Sequence, residues 1–333
     1  MAENLYLDII PRIRVYEKKL ITDSQYVRLL DLENLNDVFK TLVEIISDGS
    51  VAEEVDVVNY EEFILKETQK LFNILNEIKI DEKFKSIFMK KYKFNNLKMM
   101  IKSKYSNIEL KNTLFNIEGF DNEIVFMNIK EGRYLDLPKD VSDLVKTACN
   151  QFEESKNPQE IDILFDKTMF KELLEEANAI NNEFLTKYIE NLIDVYNVRT
   201  LFRIKKLNLN KSLLDNSIIK GGSIGLNNIK SIFLDPKENI LNKFQSMSMY
   251  RHIKEGLEHY VSNDDLSILD KELDDYLIQY LKSARIIPTG LAPLVGYINA
   301  KENEIKNIRI ILVSKMSNID SDSIRRRLRK NYV

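Results

Sequence analysis

The chain has 333 residues, of which 44% are apolar and 30% charged, the balance of a globular protein with room for two or three domains. A formal net charge of −3 supplies no global field to recruit nucleic acid or anionic lipid. The single Cys149 excludes an internal disulfide and a cysteine-cluster metal site.

Only nine Gly and six Pro interrupt the chain, and this scarcity of helix breakers predicts an all-α fold. Residues 5–20 read as a charged amphipathic helix interrupted by Pro11, and charges throughout residues 1–20 exclude a signal peptide. Thr22-Asp23-Ser24 reads as an N-cap for a helix over 25–32, and a second start follows at Asn34. From there Leu35, Val38, Phe39, Leu42, Val43 and Ile46 recur at helical spacing until Gly49-Ser50. Residues 61–78 form a long amphipathic helix, and 84–104 another. Residues 107–138 are the least helical stretch. Its apolar run Ile124-Val125-Phe126-Met127 has no strand to pair with and reads as helix or packed loop. Pro138 opens a helix to about Glu154, the polar linker 155–160 follows, and helices are expected over 161–179 and 181–207. Gly221-Gly222-Ser223-Ile224-Gly225 is a turn, because it lacks the Gly-Lys-Ser/Thr ending of a phosphate loop and no buried strand precedes it. Helices then start at Asp235-Pro236 and run over 266–283 and 293–315, the last with Pro at a tolerated first-turn position. Ser321-Asp322-Ser323-Ile324 caps a final helix over 325–332. The least polar run, 286–300, is too short to span a bilayer and holds two Pro and two Gly, so the chain is expected to be cytosolic or to lie against a membrane from outside it.

One nine-residue pattern occurs three times: Asn, aliphatic, Lys or Arg, any residue, two large apolar residues, two variable ones, Lys. The copies begin at Asn96, Asn197 and Asn307, roughly a hundred residues apart, which is one domain each. Upstream echoes come in like order: Asp143-Leu144-Val145-Lys146-Thr147 repeats Asp37-Val38-Phe39-Lys40-Thr41, and Leu269-Asp270-Lys271 repeats Phe165-Asp166-Lys167. The expected organisation is three related helical bundles over 1–112, 113–215 and 216–333, the last with a C-terminal helix. In the third copy Leu294, Ile298, Ile305, Ile308, Leu312 and Met316 form one stripe, while Ile310, Ile311 and Val313 lie off it. Its C-terminal half is therefore expected to be buried all round. The motif's polar residues, Asn96, Lys98, Asn197, Arg199, Asn307 and Arg309, then lie beside a core and need partners. Asp194 and Glu304, three residues before their Asn, are expected to pair with the Arg, whereas Lys93 stands there in the first copy.

No serine, cysteine or carboxylate constellation points to catalysis, and no cofactor is expected. His252 and His259 share a helix face, with Glu255 near, but two His without further ligands make a poor metal site. Asn263-Asp264-Asp265-Leu266-Ser267 approaches the magnesium motif of class I terpenoid synthases. Its glutamate, Glu272, falls one residue late, a turn of about 100° on a helix, so capping by Asn263 and Asp264 is the better reading. The basic run Arg325, Arg326, Arg327, Arg329 is either a solvated helix end or a docking surface for an acidic partner.

Gly290-Leu291-Ala292-Pro293-Leu294-Val295-Gly296-Tyr297, continuing through residues 300–311, resembles the C subunit of the rotary A/V-type ATP synthases, which is similar to the d subunit of eukaryotic V-ATPases. Ile324-Arg325-Arg326-Arg327-Leu328 with Tyr332-Val333 fits as well, save that Arg326 stands where an acid is more usual. Arg12-Ile13-Arg14 and Glu17-Lys18-Lys19-Leu20 fit more loosely. The resemblance implies a funnel of three helical domains about a pseudo-threefold axis. It implies a non-catalytic part of the central stalk, peripheral on the cytoplasmic face of a membrane, that couples the D and F subunits of the central shaft to the membrane rotor ring of c/K-type subunits. An all-helical scaffold or regulator unrelated to rotation is the rival reading, and a terpenoid-synthase-like enzyme stands behind it.

Overall fold

In a computed structural model the described residues are 6–47, 60–78, 80–106, 108–110 and 113–333. The expected helix stop at Gly49-Ser50 and the boundary residue 112 lie outside them. Among the described residues the fold is all-α, with sixteen α-helices and no strand. α1 (Ile10–Glu17), α2 (Asp23–Asp31), α3 (Leu35–Ser47) and α4 (Tyr60–Glu77) lead to the first long motif helix, α5 (Glu82–Ser106). α6 (Asn122–Glu131), α7 (Lys139–Ser155) and α8 (Pro158–Ile180) lead to the second, α9 (Glu183–Lys206). Then come α10 (Lys211–Ser217), α11 (Leu226–Leu234), α12 (Ile240–Phe244), α13 (Tyr250–Asn263) and α14 (Ser267–Leu281). The third motif helix, α15 (Ala292–Met316), and the short α16 (Ser321–Arg327) follow.

Local chemistry sets these ends. Thr22 and Gln25 form a reciprocal capping box on α2. Asp121 and Asn157 cap α6 and α8, and Gly132 in the left-handed region ends α6. Asn181, also left-handed, ends α8, and Asn182 starts α9 by accepting from the Leu185 N–H. Pro11 does not interrupt its helix but sits in the first turn of α1, where its fixed φ is already helical. The run 124–127 lies within α6. Asp235, held extended before Pro236, breaks the helix expected there into a 3-10 turn and α12. The last helix is capped by Asp320 and stops at Arg327, so residues 328–333 are not helical.

The apolar interior separates into one central core and three lobes. The central core takes the first half of every motif helix (Phe84 and Ile87; Leu185 and Ile189; Val295 and Ile298). It adds the last turns of α4, α8 and α14, together with Ile13 and Tyr332. Each lobe takes the second half of one motif helix. In the first lobe Ile308, Ile311 and Leu312 of α15 meet Leu29, Val38 and Ile64 of α2–α4. In the second, Leu97 and Ile101 of α5 meet Ile129, Val145 and Phe165 of α6–α8. In the third, Val198 and Phe202 of α9 meet Ile229, Leu257 and Leu269 of α11–α14. A lobe thus joins the motif helix of one sequence repeat to the short helices of the next, and the last repeat is joined to the first.

This division corrects the expectation for α15. Its N-terminal half is the part buried on every side, from Ala292 to Ala300, while Arg309, Val313 and Met316 are exposed. The first half lies among helices of the central core, whereas the second half rests on the edge of one lobe. Ile298→Ala, which leaves a cavity in the central core, is expected to cost about 2–5 kcal/mol. Met316→Ala should cost under about 1 kcal/mol. Denaturant melts of the two variants check the assignment.

Candidate functional site

The three motif asparagines make the same contact. Asn96 donates from Nδ2 to the Phe115 carbonyl (2.7 Å) and accepts from the Phe115 N–H (3.0 Å). Asn197 does the same to Ile219 (2.8 and 2.8 Å), and Asn307 to Arg329 (3.1 and 2.9 Å). Each side-chain amide pairs with the backbone of one residue in the segment that returns after the motif helix. All three asparagines are buried. A buried peptide group with neither bond would cost more than the bonds themselves contribute. The amide carries its donor and its acceptor on two separate atoms, so it can meet a backbone N–H and C=O at once.

The acids three residues upstream do not pair with the motif arginines. Asp194 accepts from the N–H groups of Ser223 (3.0 Å) and Ile224 (2.9 Å) and from the Ser223 hydroxyl. Glu304 accepts from the Ile21 N–H (2.6 Å) and from Lys301 (2.6 Å). The arginine lies five residues beyond the acid, about 500° or 140° round the helix, so the two point apart. Asn and acid lie about 60° apart, so Asn197 and Asp194 reach one returning segment, whereas Asn307 reaches Arg329 and Glu304 reaches Ile21. Burial pushes the Asp194 carboxyl above its ordinary range, against the pull of the Ser223 and Ile224 donors. The glycine turn has its reason here. A Cβ on Gly222 would overlap Asp194 Oδ1, and Gly221 holds φ +105°. In the first copy Lys93 pairs with Asp140 instead.

The motif cations reach outward to the long helix of their lobe. Lys98 pairs with Asp166 (2.8 Å), Arg199 with Asp270 (2.8 Å) and Asp274 (2.9 Å), and Arg309 with Glu61 (2.5 Å). Asp166 and Asp270 are the middle residues of the echoed triplets Phe165-Asp166-Lys167 and Leu269-Asp270-Lys271. Arg309 was expected beside a core but is half exposed, because Glu61 sits on the outer face of α4. Two of the closing lysines hold helix ends. Lys205 donates to the Phe233 and Asp235 carbonyls at the end of α11 and Lys315 to those of Leu30 and Leu32 at the end of α2, whereas Lys104 donates to the Tyr134 hydroxyl.

Asp274 is the hub of the charged network. It accepts from Arg199 of α9, Lys306 of α15 and Arg329 of the C-terminal segment. Burial alone would raise its carboxyl, but Lys306 and Arg199 outweigh burial and hold it down to about 2. Arg329 was grouped with the exposed basic run, yet its side chain is mostly buried, and its Nε donates to Asp274 at 2.8 Å. Arg325, Arg326 and Arg327 remain exposed at the end of α16.

The other sequence candidates resolve into structure. Among the described residues no group of three His, Cys, Asp or Glu is placed to hold a metal ion. His259 faces Asp265, and His252 lies beside Arg251 and Tyr276. Glu272 accepts from the Gly256 N–H (2.7 Å), where α13 crosses α14 so closely that a Cβ on Gly256 would meet Leu269 Cα at 2.5 Å. Asp264 ends α13 in the left-handed region, and Asp265, not Asn263, bonds the first N–H of α14. A cleft of about 1020 Å³ lies among α4, α5, α8 and the 116–123 segment. Its three lysines, Lys85, Lys90 and Lys93, are each paired with a carboxylate.

A family model described as ATP synthase (C/AC39) subunit matches residues 9–327. The C subunit of the V-type sodium ATPase of Enterococcus hirae is 24% identical over 327 residues, covering 98% of this chain and 99% of its own. The C subunit of the A-type ATP synthase of Methanobrevibacter smithii is 26% identical over 178 residues, 52% of this chain and 46% of its own. That of Haloferax volcanii is 22% identical over 334 residues, covering 95% of each.

Arg199→Ala removes one of the three cations on Asp274 and leaves Asp270 only the more exposed Arg203, and is expected to lower stability by about 1–3 kcal/mol. Arg309→Ala removes an exposed pair and should cost about 0–1 kcal/mol. Chemical denaturation of both separates them. Asp274 has a folded-state pKa below its ordinary value of 3.8. Its contribution is therefore complete above about pH 4 and lost as pH falls toward 2, worth about 2 kcal/mol. In Asp274→Asn the loss of stability between pH 4 and 2 should be shallower by that amount.

Proposed function

Because the chain belongs to the ATP synthase (C/AC39) subunit family, and is thus part of a membrane-bound A/V-type ATPase complex, we propose that it is the non-catalytic coupler between central shaft and rotor ring. On this reading the D and F subunits of the shaft stand on one side and the ring of c/K-type subunits on the other. The chain is peripheral on the cytoplasmic face and hydrolyses nothing itself. Among the described residues no helix is long and apolar enough to cross a membrane, which agrees with a peripheral place.

The observation that carries the reading is the threefold recurrence of one clamp, at Asn96, Asn197 and Asn307, on lobes that share a single core. It supports three repeats, residues 1–112, 113–215 and 216–333, arranged as a funnel about a pseudo-threefold axis and offset from the lobes by half a repeat. Magnitudes favour such a body. Each unit charge crossing a membrane releases about 2.3 kcal/mol per 100 mV. A surface salt bridge contributes about 0–1 kcal/mol, so a few ion pairs cannot hold a shaft under load. Extended contact of roughly 2,000 Å² or more is needed, and a socket formed by three fused lobes supplies it.

Arg325, Arg326 and Arg327 are the proposed partner contact, since they are exposed and no part of the interior network. Reversing all three to Glu should leave circular dichroism and melting nearly unchanged. Assembly of the membrane-bound complex and its ion-coupled activity should fall, as like charges then face each other across an interface. ATP hydrolysis by the detached catalytic head should persist. Normal assembly and coupling would make α16 a solvated helix end.

A further inference from the structure

One face of the third lobe collects cations that the chain itself does not neutralise. On α13 the Arg251 Nε donates to His252 Nε2 (2.9 Å), and the His252 ring lies 5.4 Å from that of Tyr276 on α14. At the neighbouring position of α14, Asp275 accepts from the Lys330 N–H (2.6 Å). Arg329 donates to the Arg327 carbonyl (2.7 Å), which ties the end of α16 to the same segment, and α16 packs on α14. Arg251, Lys330, Arg325, Arg326 and Arg327 are all exposed. Among the described residues none of their side chains meets a carboxylate, and Arg326 bonds the Ser323 hydroxyl (2.9 Å). The motif cations behave otherwise: Lys98, Arg199 and Arg309 each have an acid. The carboxylates nearest the face are engaged with backbone, Glu272 with the Gly256 N–H and Asp275 with that of Lys330.

His252 senses the imbalance. Burial holds its imidazole below the ordinary range, and the charges of Arg251 and Lys330 lower it further. The other charged and titratable groups around it are Glu255 of its own helix, Glu272, Asp275 and Tyr276 of α14, and Lys187 and Asp194 of α9, which act on Tyr276.

We propose that this face, made of Arg251 and His252 of α13, Lys330 and the arginines of α16, binds an acidic segment of a partner protein laid across α14. The proposal extends the α16 contact described above and rests on the coupler reading in taking the partner to be another subunit of the complex. Guanidinium forks suit carboxylates, which they can bind through two hydrogen bonds at once. An anionic bilayer is the poorer occupant. Cations that settle on lipid are accompanied by apolar side chains that enter it. Among the described residues none of the exposed large apolar side chains lies on α13, α14, α16 or residues 328–333. A carboxylate arriving at this face reverses the field at His252, so binding draws a proton onto the imidazole.

Titration of the full chain with a glutamate-rich peptide, followed by NMR of the two histidines, tests the face. The peptide should raise the titration midpoint of His252 by about half a pH unit or more, leave His259 in place, and lose its effect as salt is added. Arg251→Gln combined with Lys330→Gln should keep the wild-type melting curve, since both side chains are unpaired, and weaken the peptide at least tenfold. Lys146→Gln, in the second lobe, should not. A peptide that leaves His252 unmoved, or that binds the doubly substituted chain as tightly as wild type, would overturn the proposal. So would vesicles containing phosphatidylserine that bind more tightly than the peptide through the same residues, since the face would then belong to lipid. Association with the purified D and F subunits and with the rotor ring separates this proposal from the coupler reading. Arg251→Glu combined with Lys330→Glu should weaken one of these associations at least tenfold. If both are unchanged, the proposal falls while the coupler reading stands. If wild type joins neither partner, the coupler reading falls, and the face is judged by the peptide and His252.

Discussion

Long motif helices must turn back into their own lobes through irregular chain, and irregular chain carries peptide groups that no helix satisfies. This is the constraint on which the fold depends. Each time it is met by one asparagine, whose amide stands in for a neighbouring strand and gives a single residue both of its hydrogen bonds. The acid three residues earlier continues the row at Ser223 and Ile224, or at Ile21. With the return path fixed, the short helices have one place to pack, and the lobes follow.

Charges serve to join helices. Arg199, Lys306 and Arg329 come from different parts of the chain and converge on Asp274, which is ionised because three cations surround it. Lys301 lies buried between Glu67 and Glu304, and those carboxylates outweigh the burial that would otherwise discharge it. A buried pair of this sort contributes little net stability over an apolar substitute, yet removing one partner leaves an uncompensated charge. Such networks penalise every wrong register of the helices.

Membership of the ATP synthase (C/AC39) subunit family fits a molecule whose polar residues are so largely absorbed by its own architecture. Neither the His pair nor the near-magnesium motif resolves into a site: His259 faces Asp265, His252 accepts from the Arg251 side chain, Glu272 accepts from the Gly256 N–H and Asp265 from the Ser267 N–H. What stays on the surface includes the arginines of α16 and apolar side chains such as Leu135, Leu234 and Ile286, which stand largely in solvent.

The sequence by itself determined the helices, because apolar spacing and caps such as Thr22 and Asn157 act within a few residues. It also determined the threefold recurrence, because Asn96, Asn197 and Asn307 answer the same local need, and the resemblance carried by residues 290–311. It misjudged Arg199 and Arg309, whose partners Asp270 and Glu61 are set by which long helix lies alongside and not by distance along the motif. Arg329 read as one more surface cation for the same reason: its partner, Asp274, is far away in sequence. Only the tertiary structure decided that each motif helix serves the following repeat and that the last serves the first. Helix formation is settled by neighbours in sequence, whereas the closing of a lobe is settled by contacts between segments that the chain itself keeps far apart.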